Sequence, residues 1–135
     1  MNILLDTCTF LWVTKNAPAL SSTARVCFKD PGNTVYLSSI SVWEMVVNHA
    51  LGRLPLPETP ERFIPAMRSG HGIAPLALEE EAAYQLSKLP DLHKDPFDRM
   101  LVCQALIHGL VLLTPDEMIR RYPVRLWFER NVGGR

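Results

Sequence analysis

The chain contains only three cysteines, Cys8, Cys27 and Cys103, an odd number spread widely and without a Cys-x-x-Cys. That excludes a disulfide framework and a structural zinc site built on paired thiolates. Small thiols in apolar surroundings read as buried rather than reactive. Net charge is also missing, because 14 Lys and Arg balance 14 Asp and Glu. No whole-molecule field draws the chain toward nucleic acid or an anionic membrane, so any polyanion site has to be local. The N-terminus carries no basic segment, and its first apolar run stops at Asp6, too short for the apolar part of a secretory signal. A membrane span is absent as well: the most apolar region, residues 100–113, is interrupted by Gln104, His108 and Gly109. These absences describe a soluble, cytoplasmic protein. There is no internal repeat and no low-complexity segment, and 135 residues fit a single domain over 1–135.

What the chain does have is an alternation of short apolar strands with helical stretches. Residues 2–5 read as a buried strand, and residues 10–13 and 24–28 have helical spacing, the second stretch opened by Ser21 or Ser22. Pro31-Gly32-Asn33 breaks the chain before a second strand at 35–38. Ser41 then opens a helix whose apolar positions Val42, Trp43, Val46, Val47, Ala50 and Leu51 run to a stop at Gly52. Leu54-Pro55-Leu56-Pro57 is extended by necessity, and Thr59-Pro60 caps a helix over 61–68 that Gly70 and Gly72 end. A strand at 73–76, a helix at 79–89 and a strongly apolar helix from Asp95-Pro96 through Ile107 follow, the last closed by Gly109. A buried strand at 110–113 ends at Thr114, and residues 124–128 form a final strand. Strands that are apolar throughout and alternate with helices predict an α/β fold, its mostly parallel sheet covered on both faces.

In open sheets of this kind ligands bind beyond the carboxyl ends of the strands, so acids placed there are the candidates. Asp6 ends the first strand, Glu44 lies in the first turn after the second, and Asp116 lies just beyond Thr114. Asp95 and Asp98 open the long helix three residues apart, as neighbours on one side of its first turn. Segments distant in sequence thus bring four or five carboxylates to one end of the sheet. Several also have a structural reading: Ser41-Val42-Trp43-Glu44 matches a capping box, Asp95-Pro96 an N-cap with proline behind it, and Asp98 complements a helix dipole. Asp6 is different. A carboxylate ending a buried strand costs free energy unless it is hydrogen-bonded or balanced by a cation, and its neighbourhood in sequence holds no lysine or arginine. A divalent cation such as Mg²⁺, which prefers oxygen ligands, resolves both that cost and the mutual repulsion of the acids, with Thr7 hydrogen-bonding nearby.

Four motifs carry a family resemblance: Leu4-Leu5-Asp6-Thr7, Ser38-Ser39-Ile40-Ser41-Val42-Trp43-Glu44, His93-Lys94-Asp95-Pro96-Phe97-Asp98-Arg99 and Leu112-Leu113-Thr114-Pro115-Asp116. Over almost its whole length the chain resembles the PIN-domain ribonucleases, and among them the VapC-type toxins of bacterial toxin–antitoxin pairs. The resemblance implies a three-layer α/β/α fold and a Mg²⁺- or Mn²⁺-dependent endoribonuclease cutting single-stranded or looped RNA. It implies an acidic site at Asp6, Glu44, Asp98 and Asp116, with Asp95 either a fifth ligand or a cap. Thr7, Arg99 and Thr114 are supporting residues. A cognate antitoxin and a homodimer are also implied. Asp98 ranks ahead of Asp95 because the family's third acid is followed by a helix of small and apolar residues, as Asp98 is here. Cys8 departs from the histidine that many relatives carry, and Pro115 from a small flexible residue.

Two other readings use the same residues: a DNA or flap nuclease with the same metal site, and a non-catalytic binding module. A phosphorylatable receiver is disfavoured, because Ser38, Leu76 and Thr114 occupy the strand ends where it needs an aspartate and a lysine. His93 reads as structural or substrate-positioning. Arg99 reads as a phosphate contact or an ion pair. Arg120, Arg121, Arg125, Arg130 and Arg135 make a basic C-terminal region that either tracks an RNA backbone or is a solvated face. Trp12, Trp43 and Trp127 read as core or interface, with Trp12 the interface candidate.

Overall fold

The computed structural model describes residues 1–92, 94–115, 122 and 126–128. In chain order the elements are β1 (Asn2–Leu5), α1 (Thr7–Lys15), α2 (Ser22–Lys29), β2 (Thr34–Ser38), α3 (Ser39–Ala50) and α4 (Pro60–His71). Then come β3 (Ile73–Leu76), α5 (Glu80–Gln85) with a 3₁₀ turn at Leu86–Lys88, α6 (Pro96–His108), β4 (Val111–Thr114) and β5 (Leu126–Phe128). The strands form one sheet in the order β3-β2-β1-β4-β5, and all neighbours are parallel.

Alternation along β1 decides the layers, since successive side chains of a strand point to opposite faces. Ile3 and Leu5 pack with Phe10 of α1, Ala24 and Cys27 of α2, Met45 of α3 and Phe63 and Ile64 of α4. Leu4, on the other face, packs with Ala82 of α5, Leu101 and Val102 of α6 and Leu112 of β4. The result is the expected α/β/α arrangement, with α1, α2 and α4 on one side and α5 and α6 on the other. Pro75 pairs with Leu37 in β3, which lies at the edge of the sheet, where a missing N–H is tolerated. Among the described residues no helix is long and apolar enough to cross a membrane.

Several local expectations need correction. The first turn of α3 is capped by Ser38, whose Oγ accepts from Ile40 N at 3.0 Å, and not by Ser41. Ser38 is free to cap because Gln104, fully buried in α6, accepts from its hydroxyl at 2.5 Å and donates onward to the Ala77 carbonyl at 3.3 Å. Trp43, Val46 and Leu51 are not a buried stripe: they are 58%, 41% and 58% exposed. The helix lies between both cores, Ile40 entering one and Met45 the other, so its remaining apolar positions cannot all face inward. Helix α4 continues through Pro65 and Gly70 and stops only at Gly72, which takes the left-handed conformation with φ 65°. The helix expected over 79–89 narrows after Gln85 into the 3₁₀ turn.

Candidate active site

Strands β2 and β3 lie to one side of β1 and strands β4 and β5 to the other, so the chain reverses its direction of travel across the sheet between β1 and β4. The carboxyl ends of two strands at such a switch point frame a crevice. Asp6 stands there, 4% exposed, as the N-cap of α1. Its Oδ1 accepts from Thr9 N at 2.8 Å and its Oδ2 accepts from Thr114 Oγ1 at 2.5 Å. Its own amide donates to the Leu113 carbonyl at 3.2 Å, so β4 grips the residue at both backbone and side chain. The capping role of Asp6 was not anticipated from sequence, although an acid three residues before a helical N–H is the signal for it. These bonds compensate the buried carboxylate, so its burial alone does not call for a cation.

Glu44 loses its capping alternative. With Ser38 as the cap, Glu44 lies a full turn too deep in α3 for a capping box. Its Oε1 accepts instead from Thr7 Oγ1 at 2.6 Å, which ties α3 to the first turn of α1. Asp95 keeps its capping role, accepting from Phe97 N at 2.9 Å and Asp98 N at 3.3 Å, and Asp98 follows in the first turn of α6.

These residues meet in one open pocket of about 290 Å³, lined by Asp6, Thr7, Cys8, Glu44, Asp95, Asp98 and Pro115. Four of the seven are carboxylates, and among the described residues no lysine or arginine lines it. Cys8 is exposed in this pocket, contrary to the expectation of burial, whereas Cys27 and Cys103 are buried and burial pushes both thiols up. Arg99 donates to the Pro90 carbonyl at 3.0 Å and to Tyr122 Oη at 3.2 Å, and pairs with Asp91 at 3.8 Å, fastening the segment before α6. His93, Asp116, Arg120, Arg121, Arg125, Arg130 and Arg135, and the side chain of Trp127, lie outside the described residues.

The electrostatics of Glu44 reflect burial first and the neighbouring acids second. Burial raises the Glu44 pKa above its ordinary value, the Thr7 hydrogen bond opposes that, and the charges of Asp95 and Asp6 add to the rise. A divalent cation fits the donor set, because every carboxylate offers hard oxygen and the site collects like charges around open space. Among the described residues no three acids, histidines or cysteines are already gathered in metal-holding geometry. Mg²⁺ tolerates that arrangement, since it takes one or two carboxylates and keeps several waters.

A stability prediction follows from Glu44. A carboxyl whose folded pKa is raised favours the folded state at pH values below the unfolded value of about 4.3. That advantage is lost as pH rises through the raised folded pKa. In EDTA, Glu44→Gln should therefore melt above wild type at pH 7, and the difference should shrink as pH falls toward 4; thermal melts across that range check it. Equal melting curves at neutral pH would mean that the buried Glu44 charge carries no net cost.

An α/β domain with carboxylates at the switch point of a parallel sheet is the class that fold and pocket define. The PIN domain family model matches residues 3–125, and the chain belongs to that family. Ribonuclease VapC16 of Mycobacterium tuberculosis is 35% identical over 63 residues, 47% of this chain and 44% of that protein. The alignment thus spans less than half the length of this curated relative. The fold is similar to the crystal structure of VapBC2 from Rickettsia felis bound to a DNA fragment from their promoter, with TM-score 0.72, 16% identity and coverage of 95% and 98% of the two chains. It is also similar to DNA-bound VapBC from Salmonella typhimurium, with TM-score 0.68, 22% identity and the same coverage.

Proposed function

We propose that the protein is a Mg²⁺- or Mn²⁺-dependent endoribonuclease that hydrolyses phosphodiester bonds of single-stranded or looped RNA, and that it is the toxin of a toxin–antitoxin pair. The observation that carries the reading is the pocket in which Asp6, Glu44, Asp95 and Asp98 converge. Membership of the PIN family and the relative named as a ribonuclease support it. The VapBC structures that share the fold support the toxin role and a cognate antitoxin as partner; a homodimer and a cytoplasmic setting belong to the same proposal.

Asp6, Glu44, Asp98 and Asp116 would hold the metal together, one or two of them directly and the others through its waters. A divalent cation, when bound, neutralises phosphate charge and activates water for in-line attack. The chain's own residues prepare that site. Thr114 and the Thr9 amide fix the two oxygens of Asp6, so the carboxylate cannot rotate away. Thr7 fixes Glu44, and Asp95 holds the first turn of α6 from which Asp98 projects. Donors that are already in place cost no reorganisation when charge develops at the phosphate.

The test is cleavage of a mixed pool of structured and unstructured RNA with Mg²⁺, Mn²⁺ or EDTA, beside Asp98→Asn and beside matched DNA strands. Cutting that needs metal, prefers RNA and falls at least about 10²-fold in the variant is expected. Equal cutting of DNA would assign a nuclease of different substrate. A folded wild type that neither cuts nor gains melting temperature with metal would leave a binding module. For the toxin role, the product of a short adjacent reading frame should co-purify with the chain and block cleavage.

A further inference from the structure

Trp43 immediately precedes Glu44 on α3 and is 58% exposed. An exposed indole is a large apolar surface that usually has a partner. Its ring packs edge-to-face on Phe97 of α6, with centroids 5.1 Å apart and planes at 78°. Phe97 stands between Asp95 and Asp98 in the first turn of α6. The aromatic pair therefore joins α3 and α6, the two helices that bring Glu44, Asp95 and Asp98 to the pocket; neither ring is among the residues lining that pocket, and much of the indole surface is in solvent.

Resting on the ribonuclease reading, we infer that Trp43, held by Phe97, is the platform on which a nucleobase of the RNA substrate stacks next to the phosphate placed in the pocket. The charge pattern supports this occupant. A chain of zero net charge with four carboxylates lining its pocket gains little from long-range attraction to a polyanion. Affinity beside that pocket is served by a contact indifferent to charge. Base stacking on an aromatic is such a contact, and it tolerates any base because each has a π face. Single-stranded and looped RNA presents unstacked bases for it. Trp43 is thus a substrate-binding residue that sets where the strand lies, while the acids act on the phosphate.

The experiment is steady-state cleavage of a short single-stranded RNA by wild type, Trp43→Ala and Trp43→Tyr, repeated with single abasic substitutions along the RNA, with the mass of each protein measured by light scattering. Trp43→Ala is expected to raise KM about 10-fold or more with a smaller fall in kcat, and Trp43→Tyr to restore KM. One abasic position should raise the wild-type KM similarly and leave that of Trp43→Ala unchanged. A wild-type KM in Trp43→Ala, or an abasic effect equal in both proteins, overturns the inference while leaving the ribonuclease intact. So does a fall in mass for Trp43→Ala, which would place the indole between two copies of the chain. A folded wild type that cuts no RNA removes the ribonuclease reading and this inference together.

Discussion

Asp6→Asn is expected to melt within a few degrees of wild type in EDTA and to cut RNA at least about 10²-fold more slowly in Mg²⁺. The substitution separates the two roles of the residue. As a cap, Asp6 needs an oxygen to accept from Thr9 N, and asparagine supplies one as well as aspartate does. The second oxygen accepts from Thr114 Oγ1; an amide NH₂ placed there can instead donate to that hydroxyl, which is both donor and acceptor. What disappears is the charge, and with it the strongest donor for a hard cation at the switch point. Asp6→Ala would confuse the result: it loses the cap, worth about 0.5–2 kcal/mol, and leaves Thr9 N and Thr114 Oγ1 buried without their acceptor. Single-turnover cleavage, paired with melts taken with and without Mg²⁺, reads both halves. Undiminished cutting by Asp6→Asn would show that Asp6 is a helix cap alone.

The layers of the fold could be read from residues 2–5, because a run of apolar residues ending in an acid is the signature of a buried strand whose end faces a site. The parallel order followed from strands with no polar face. Where reading failed, tertiary context outvoted a local rule. Ser38-Ser39-Ile40-Ser41 offers three serines as caps, and Ser41 with Glu44 satisfies the capping-box spacing. The choice of Ser38 depends on Gln104, 66 positions away, whose Oε1 accepts the hydrogen bond from its hydroxyl. That buried amide was visible in sequence only as an interruption in an apolar helix. The helical spacing of Trp43 reads as core or interface, and of these the core is excluded, because α3 divides its apolar residues between two cores and leaves that position largely in solvent. At the site, convergence of Asp6, Glu44, Asp95 and Asp98 followed from strand ends and helix starts, whereas the pairing of Thr7 with Glu44 is a matter of side-chain reach that no pattern encodes.

Leu112→Ala is expected to destabilise the protein by about 2–5 kcal/mol, a large share of the total for a domain of this size. Leu112 is fully buried in β4 and lies in register with Leu4 on one side and Leu126 on the other. Its side chain belongs to the cluster that joins the sheet to α5 and α6. Truncation there leaves a void among Leu4, Leu101 and Val102, and strands pinned on both edges by backbone hydrogen bonds cannot collapse far to fill it. Val26→Ala, at a position 72% exposed, should stay within about 0.5 kcal/mol of wild type. Thermal melts and urea titrations measure both. The core substitution also discriminates between two ways of losing activity. Leu112 adjoins Leu113 and Thr114, which grip Asp6, yet it supplies no group to the pocket. Leu112→Ala should therefore lose RNA cleavage near its lowered melting temperature and recover wild-type cleavage per folded molecule on cooling, whereas Asp6→Asn stays slow at every temperature. A Leu112→Ala protein that is folded when cold and still inactive would mean that β4 must be packed to native density for the Thr114 to Asp6 hydrogen bond to hold the carboxylate in place.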